Sequence, residues 1–405
     1  MQPRVHQPSP TPLAVLLAAA VGLLVGCQQP ALTQAVDTPA PAAAPAADWS
    51  AGATLTAELK GAFATHGNGV MMGAVSPDSL WLAVNIETAD GEHGSFEIWD
   101  LTAYQRVADN LTGLVYAFAD NSYFVAAVDG PDTLVYRVPS GELVDRYPGY
   151  PVGDGFSTDS NFAVIAGPDA VTVYPLTTTQ APDTPDTEWA AAEDGSIWGV
   201  PSGQRLGRVN AADGTAPYMV ESSGPRLIAS LQNTSQVYTL PALEPQRSWP
   251  GTMARFLGRG DYILTTEELD DVVTWRVYPA DDDRPLLTLH SSYSEAAPMM
   301  SRDNDLLVAP QSDTERAWTD VYRLPTAARL ARFDCYDGDV DPSGRWFAAH
   351  IGGDGDQTTV YDLTSGALAA EAEGGNGLFL LDGRRLLTTL PGESLLLWEP
   401  AAPQE

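Results

Sequence analysis

The stretch Ala74-Val75-Ser76-Pro77-Asp78-Ser79-Leu80-Trp81-Leu82-Ala83 joins a short apolar segment, a tight turn and a second apolar segment that carries an aromatic residue. The same order of residue types returns at residues 117–126, 155–164, 299–308 and 339–348. Pro, Asp, Ser and Gly suit the turn because they fix or permit its backbone dihedral angles. The apolar segments on both sides favour strands. The chain is therefore predicted to repeat a strand-turn-strand unit.

Each repeat also ends with an aromatic residue at the centre of a segment typical of a strand. These landmark residues are Trp99, Tyr136, Tyr174, Tyr238, Trp275, Tyr322, Tyr361 and Trp398. Their spacings are 37, 38, 64, 37, 47, 39 and 37 residues, so the period is close to 40. A period of this length with several short strands per unit is typical of a β-propeller. The sequence thus predicts an all-β fold of this architecture.

Only the spacing of 64 departs from the period. Within it, Trp198 lies in a segment that matches the one around Tyr136, only 24 residues after Tyr174. Four strands of about five or six residues with their turns do not fit into that distance. We therefore predict about eight blades with one irregular or truncated unit near 177–215, and seven or nine blades are the alternatives.

The start of the repeat region predicts how the ring closes. Residues 54–59 alternate like a half-buried strand, and the last unit, 377–400, has room for three strands only. We expect the N-terminal segment to supply the outermost strand of the last blade, so that the propeller spans 51–402. Closure of this kind removes exposed strand edges that favour aggregation.

The first 26 residues have the features of a secretion signal. Arg4 precedes an apolar segment from Leu13 to Leu24, and Cys27 lies three residues after the end of that segment. About 12 apolar residues are too few to span a bilayer, which argues against a membrane anchor. Residues 1–26 are predicted to be a signal peptide, and residues 27–50, rich in Ala and Pro, an extended tether.

The pairs Trp99-Asp100 and Tyr361-Asp362 stand at landmark positions of the repeat. With the repeat itself, they resemble the WD40-like β-propellers of bacterial envelopes over residues 53 to 400. Leu24-Val25-Gly26-Cys27 likewise resembles the bacterial lipobox. The resemblance implies an exported lipoprotein that is anchored to the membrane through lipidated Cys27. Gln28, where an Asp could stand, favours the outer membrane in a Gram-negative host.

The charge of the chain restricts its partners. The net charge is −32, and removal of residues 1–26, which contain Arg4 and no acid, changes it by one unit to −33. Such a chain repels nucleic acid and anionic lipid headgroups, so we expect no nucleic-acid partner. Adaptation to high salt is the favoured explanation of the acidity, and a role in ligand binding is the alternative.

Motifs of catalysis are nearly absent from the sequence. It contains no Gly-x-Ser-x-Gly, His-Glu-x-x-His or Cys-x-x-Cys. Asp339, Asp341 and Ser343 followed by Gly344 resemble the start of a calcium loop. Position twelve of that loop is His350 rather than Glu, and the segment aligns with the turns of the other blades. A turn is favoured and no cofactor is expected, with calcium as the alternative.

The loops of one propeller face form the candidate binding surface. Connections from second to third strand and from blade to blade open on this side, which we call the loop face, whereas the turns between first and second strands lie on the opposite turn face. The long second-to-third loops are acidic. The residues predicted to bind a ligand are Glu87, Asp90, Glu92, His93, Glu267, Glu268, Asp313, Glu315, Asp354 and Asp356, with Trp318 as an aromatic anchor.

Two functions are compatible with these features. The favoured one is a non-enzymatic scaffold, tethered in the envelope, whose loop face binds a protein or a small ligand. The alternative is a divalent-metal-dependent enzyme, similar to a lactonase or lyase, with its site in the central channel. The scaffold is favoured because the first strands show no repeated His or Asp that could hold a channel metal. An acidic rim around a Trp favours a basic or polyhydroxylated partner.

Overall fold

The computed structural model of the 405-residue chain describes residues 47–60, 70–87, 94–157, 160–167, 170–176, 188–192, 194–200, 202–210, 217, 219–223, 225–231, 234–251, 253–258, 260–269, 272–292, 297–301, 305–313, 316–335, 337–351, 357–380, 382–390 and 394–402. Within these ranges the regular structure is β-strand apart from one 3₁₀ turn, Trp49–Ala51. The all-β prediction is therefore confirmed.

In chain order the strands are β1 (Ala53–Leu59), β2 (Val70–Val75), β3 (Trp81–Glu87), β4 (Gly94–Asp100), β5 (Gln105–Thr112), β6 (Leu114–Phe118), β7 (Phe124–Asp129), β8 (Asp132–Arg137), β9 (Glu142–Pro148), β10 (Tyr150–Phe156), β11 (Phe162–Ala166), β12 (Val171–Pro175), β13 (Glu188–Ala191), β14 (Ser196–Val200), β15 (Arg205–Arg208), β16 (Met219–Ser223), β17 (Arg226–Leu231), β18 (Thr234–Thr239), β19 (Glu244–Pro250), β20 (Met253–Leu257), β21 (Tyr262–Leu269), β22 (Val272–Pro279), β23 (Leu287–Ser291), β24 (Met299–Met300), β25 (Leu306–Ser312), β26 (Ala317–Arg323), β27 (Ala328–Phe333), β28 (Asp337–Val340), β29 (Trp346–Ile351), β30 (Gln357–Asp362), β31 (Leu368–Glu373), β32 (Gly375–Phe379), β33 (Leu386–Leu390) and β34 (Ser394–Pro400).

Over the described ranges these strands form nine antiparallel sheets, which we call blades 1 to 9 in chain order. Blade 1 contains β2–β5, blade 2 β6–β9, blade 3 β10–β12, blade 4 β13–β15, blade 5 β16–β19, blade 6 β20–β23, blade 7 β24–β27, blade 8 β28–β31, and blade 9 β32–β34 together with β1. Blades 3 and 4 have three strands in the described part of the chain, and the other blades have four.

The blades form a closed ring because each one packs on the next through an apolar cluster. Nine clusters of buried side chains occur among the described residues, and each contains residues of two neighbouring blades. The cluster between blades 9 and 1 joins Leu387 and Leu395 to Leu82 and Val84. Successive side chains of a strand point to opposite faces, so a strand of apolar residues gives its blade two packing faces.

The prediction of about eight blades is wrong, because the unit near 177–215 forms a blade of its own. Its strands β13, β14 and β15 have only four, five and four residues, so they fit between residues 188 and 208. The described strands are stabilised because the two faces of blade 4 are covered by neighbours: Ala190 packs on blade 3, and Ile197 packs on blade 5. A blade is stabilised mainly by its neighbours and not by its own strand number.

The last blade is completed by the N-terminal strand, as the alternation at residues 54–59 predicts. Strand β1 pairs antiparallel with β34, from Ala53 opposite Pro400 to Leu59 opposite Leu395. The buried Arg385 adds a link to blade 1, since its Nη1 donates to Leu101 O at 2.9 Å and its Nη2 to Ser79 O at 2.7 Å. Strand and arginine together join the two ends of the repeat array.

Polar side chains on the turn face are occupied by the turns themselves. The buried Asp341 carboxylate accepts hydrogen bonds from the backbone N–H groups of Ser343, Arg345 and Trp346 at 2.7 to 3.0 Å. Between blades 2 and 3, Ser160 Oγ accepts from the N–H of Asn121 at 3.1 Å. These bonds fix the turn geometry and link neighbouring turns.

The described chain ends also lie on the turn face. Trp346, which follows a turn of blade 8, donates from Nε1 to Ala47 O at 2.8 Å. Trp49 is fully buried between blades 8 and 9. Ala401, just beyond β34, donates its N–H to Gly52 O at 2.9 Å. The polypeptide therefore enters and leaves the described propeller on the same side.

Candidate binding face

The first strand of each blade lies nearest the central axis. First strands of successive blades contact each other, for example β2 with β6, β16 with β20, and β28 with β32. Their unpaired edge faces the channel, and acids of the preceding blade bind its N–H groups. Glu221 Oε2 accepts from Phe256 N at 3.1 Å, and Asp339 Oδ2 accepts from Phe379 N at 2.8 Å.

Glu221 is the described acid with the most perturbed ionisation. The residue keeps some exposed surface, but protein atoms surround its carboxylate on most sides. The pKa of Glu221 is raised to about 7, because burial outweighs the opposite effects of the Arg255 charge and of the hydrogen bond from the Phe256 N–H. Arg255 itself donates from Nη2 to Pro298 O of the next blade at 2.5 Å. Sequence reasoning missed this carboxylate because no motif surrounds it.

The loop between the second and third strands of blade 6 carries a protruding hairpin, β21–β22. Glu267 pairs with Arg276 at 2.7 Å, whereas Glu268 is exposed. Leu269 and Val272 at the hairpin end are 68% and 42% exposed. The hairpin therefore combines acids, as predicted, with two apolar side chains that the prediction did not include.

The predicted anchor Trp318 is half-buried in blade 7, at the loop-face end of β26. The guanidinium of Arg332 lies over its ring, 4.8 Å from the centroid. Its Nε1 is buried and has no hydrogen-bond partner among the residues that the structure describes. Gln311 is opposite Trp318 in the sheet. The indole is thus partly covered by its own blade.

Asp320 holds this arrangement in place from within the blade. Its carboxylate is fully buried and accepts from Arg332 Nε at 2.8 Å, Arg332 Nη2 at 2.7 Å, Gln311 Nε2 at 2.9 Å and Tyr322 OH at 3.2 Å. Burial raises the pKa of Asp320, but the hydrogen bonds and charge of Arg332 outweigh it and hold the pKa below its ordinary value. The buried acid therefore supports the surface around Trp318.

The other acids are placed as follows. Asp313 is exposed on the loop face of blade 7 and accepts from Arg316 N at 2.8 Å. Glu87 is the last residue of β3, at the loop-face end of blade 1. Asp90, Glu92, His93, Glu315, Asp354, Asp356 and the lipidation candidate Cys27 lie outside the described residues. The described acids Glu267, Glu268 and Asp313 share the loop face of two adjacent blades.

Asp339, Asp341 and Ser343 do not converge on a common point. Asp339 binds a backbone N–H of blade 9, and Asp341 binds the turn in which Ser343 lies. Among the described residues no group of three or more His, Cys, Asp or Glu side chains is arranged to hold a metal ion. The geometry of these three residues is that of a turn and an inter-blade contact.

A set of apolar residues at the channel opening was also missed by sequence reasoning. Leu114, Tyr150 and Met253 are each the first residue of a first strand, and all three are exposed. Met219 and Met299 begin two further first strands and are half-buried. We call these five residues the channel mouth. The only signal in the sequence is that, after Met1, every methionine lies in a segment that forms the first strand of a blade.

Comparison with known proteins identifies the fold and leaves the activity open. No protein-family model matches the chain, and no curated protein matches it. The propeller of Dos1 is similar with a TM-score of 0.53 and 11% identity, over 88% of this chain and 96% of that one. The C-terminal WD40 domain of Sif2 has a TM-score of 0.50 and 11% identity, over 87% and 99%. The fold is that of WD40-like β-propellers.

In the described part of the chain no helix has the length and apolar character needed to cross a bilayer.

Proposed function

We propose that this protein is a non-enzymatic scaffold, tethered to the bacterial envelope through a lipid on Cys27, that binds a protein partner with its loop face. The observation that carries the proposal is the β21–β22 hairpin, where exposed Leu269 and Val272 stand beside Glu268. Exposed apolar groups next to charges are typical of protein-binding surfaces. WD40-like neighbours in fold space are compatible with such a role.

The position of the N-terminal segment supports the choice of face. Ala47 and Trp49 are fixed on the turn face by the contacts described above. The 19 residues from Gln28 to Ala46 would therefore connect the membrane to the turn face. A flexible chain of this length has an r.m.s. span of about 24 Å, and a Pro-stiffened one reaches about 60 Å. A tether attached there leaves the loop face free for a partner.

Site-specific photo-crosslinking in cells tests the partner. A photoreactive amino acid at position 269 is expected to give a protein adduct of defined mass, whereas the same group at position 123, a 65% exposed Tyr of the turn face, gives none. Equal adducts at both positions, or none at 269, would contradict the proposal. The tether is tested separately: labelled palmitate should enter the protein, and Cys27→Ser should abolish the label.

A further inference from the structure

The channel mouth has a composition unlike the rest of the surface. Its five residues come from the first strands of blades 2, 3, 5, 6 and 7, so they surround more than half of the loop-face opening. Met253 is 49% exposed, Leu114 44% and Tyr150 38%. Exposed apolar side chains that recur at one structural position in several blades form an apolar rim, which soluble surfaces usually avoid.

Methionine is confined to the first strands. The chain has seven methionines, and after Met1 all six lie on first strands: Met71 and Met72 on β2, Met219 on β16, Met253 on β20, and Met299 and Met300 on β24. Met219, Met253 and Met299 belong to three consecutive blades. The unbranched thioether chain adapts its shape to different apolar partners, and Met-rich surfaces serve this purpose in promiscuous peptide binding.

Met300 shows what a purely structural methionine does in the same strand. Its Sδ and Cε lie against Gly258 of blade 6, where a Cβ added to the glycine would meet them at 3.4 and 3.3 Å. It also packs on the apolar cluster between blades 6 and 7. Met253, by contrast, keeps about half of its surface exposed at the strand start. The mouth methionines are therefore not needed to fill the inter-blade core.

Acids border part of this apolar rim. Glu221 lies two residues deeper than Met219 on the same strand, and Glu268 and Asp313 stand on the outer loops of blades 6 and 7. The whole chain carries a net charge of −32. An apolar rim with acids along part of its border is complementary to a polypeptide segment with apolar side chains flanked by Lys or Arg.

We infer that the channel mouth binds an apolar, positively charged segment of the partner polypeptide. The partner's existence rests on the proposed function, but the site itself does not depend on the lipid or on the β21–β22 hairpin. Apolar side chains of the segment contact Met219, Met253, Met299, Leu114 and Tyr150. Its cations face the acids of the border and accelerate association, while the apolar contacts supply most of the affinity.

The inference is tested with three synthetic helical peptides of one pattern: leucine with lysine, leucine with glutamate, and serine with lysine. The mature protein is labelled with ¹³C at the methionine methyl groups. The leucine–lysine peptide is expected to shift the signals of Met219, Met253 and Met299, with that of Met300 as the internal control. The other two peptides should bind at least tenfold more weakly.

Variants of the protein test the same site. The double variant M219Q/M253Q should weaken binding of the leucine–lysine peptide about tenfold or more, whereas L368Q, at an exposed turn-face position, should leave this affinity unchanged.

The following results would overturn the inference. Unchanged affinity in M219Q/M253Q, or equal loss in L368Q, would show that the peptide binds elsewhere. Equal binding of the serine–lysine peptide would show that charge alone attracts it. Thioethers are also ligands of soft metal ions, so stoichiometric Ag⁺ binding that depends on Met219 and Met253, without peptide binding, would assign the mouth to a metal instead. A crosslink at position 269 without methionine shifts would retain loop-face binding and reject the mouth.

Discussion

The two faces of this propeller use the same kinds of residues for different purposes. On the turn face, Asp341 and Ser160 are bound by backbone N–H groups of their own or a neighbouring turn. On the loop face, Glu268, Leu269 and Met253 remain exposed. The comparison predicts that stability is sensitive to change at buried, bonded acids, and that binding is sensitive to change at the exposed side chains of the loop face.

The largest effect is expected from removal of the closing strand. Deletion of residues 53–60 takes away β1 with its buried Leu59 and exposes the outer edge of β34. We expect a loss of more than about 5 kcal/mol, or no cooperative unfolding transition, because an apolar cluster and a strand pairing are lost together. Urea unfolding measures it. Deletion of residues 28–46 is the control, and an unchanged midpoint after the first deletion would disprove closure by β1.

Asp320→Asn should give the next largest loss of stability. Its carboxylate is buried and binds Arg332. Because the arginine is 45% exposed, water can solvate it after the substitution, and we expect the free energy of unfolding to fall by about 3 kcal/mol. Asp313→Asn, on the exposed surface of the same blade, should change stability by less than about 0.5 kcal/mol. Similar losses in the two variants would show that Asp320 does not support the loop face from below.

Glu221 makes stability depend on pH in the direction opposite to that of most acids. Its pKa is raised to about 7 in the folded state from 4.5, so the native form binds an additional proton between these values and stability falls as pH rises through this window. Glu221→Gln should leave stability unchanged near pH 4 and increase it near pH 8, by at most about 3 kcal/mol. The measurement is the difference between wild type and variant in urea unfolding across this range; a constant difference would refute the raised pKa.

The smallest effects compare the two faces directly. Asp341→Ala removes the acceptor for the turn N–H groups and should cost about 1–2 kcal/mol. Glu268→Gln should stay within about 0.5 kcal/mol, because the side chain is exposed. Thermal unfolding of both variants measures the contrast. A larger loss for Glu268→Gln than for Asp341→Ala would reverse the assignment of roles to the faces.

Local signals in the sequence were sufficient for the repeating unit. Local sequence patterns are enough to recognise turn residues such as Pro77 and Asp78 and the landmark Trp99. The observed blades agree with the repeat that these residues mark. The count of blades was not available in this way. The short strands β13–β15, which are the described part of blade 4, do not resemble a full repeat in sequence, and they are stabilised by Ala190 and Ile197 packing on the blades to either side.

The candidate site shows the same division. The acidic loops were visible because each lies at the same place in its repeat, with Glu267 and Glu268 in one loop and Asp313 in the corresponding loop of the next blade. The cover of Arg332 over Trp318 and the burial of Glu221 could not be predicted, since they depend on strands and blades that are adjacent only after folding.

The amino-acid sequence by itself determined that the chain is an all-β propeller, because the alternation of apolar residues and the turn chemistry recur with a fixed period. The tertiary structure decided that the ring holds nine blades. It also brought Met219, Met253 and Met299, far apart in sequence, to one opening of the channel. The reason is physical: strand and turn preferences act between residues close in the chain, whereas ring closure and the shared opening arise from packing between blades.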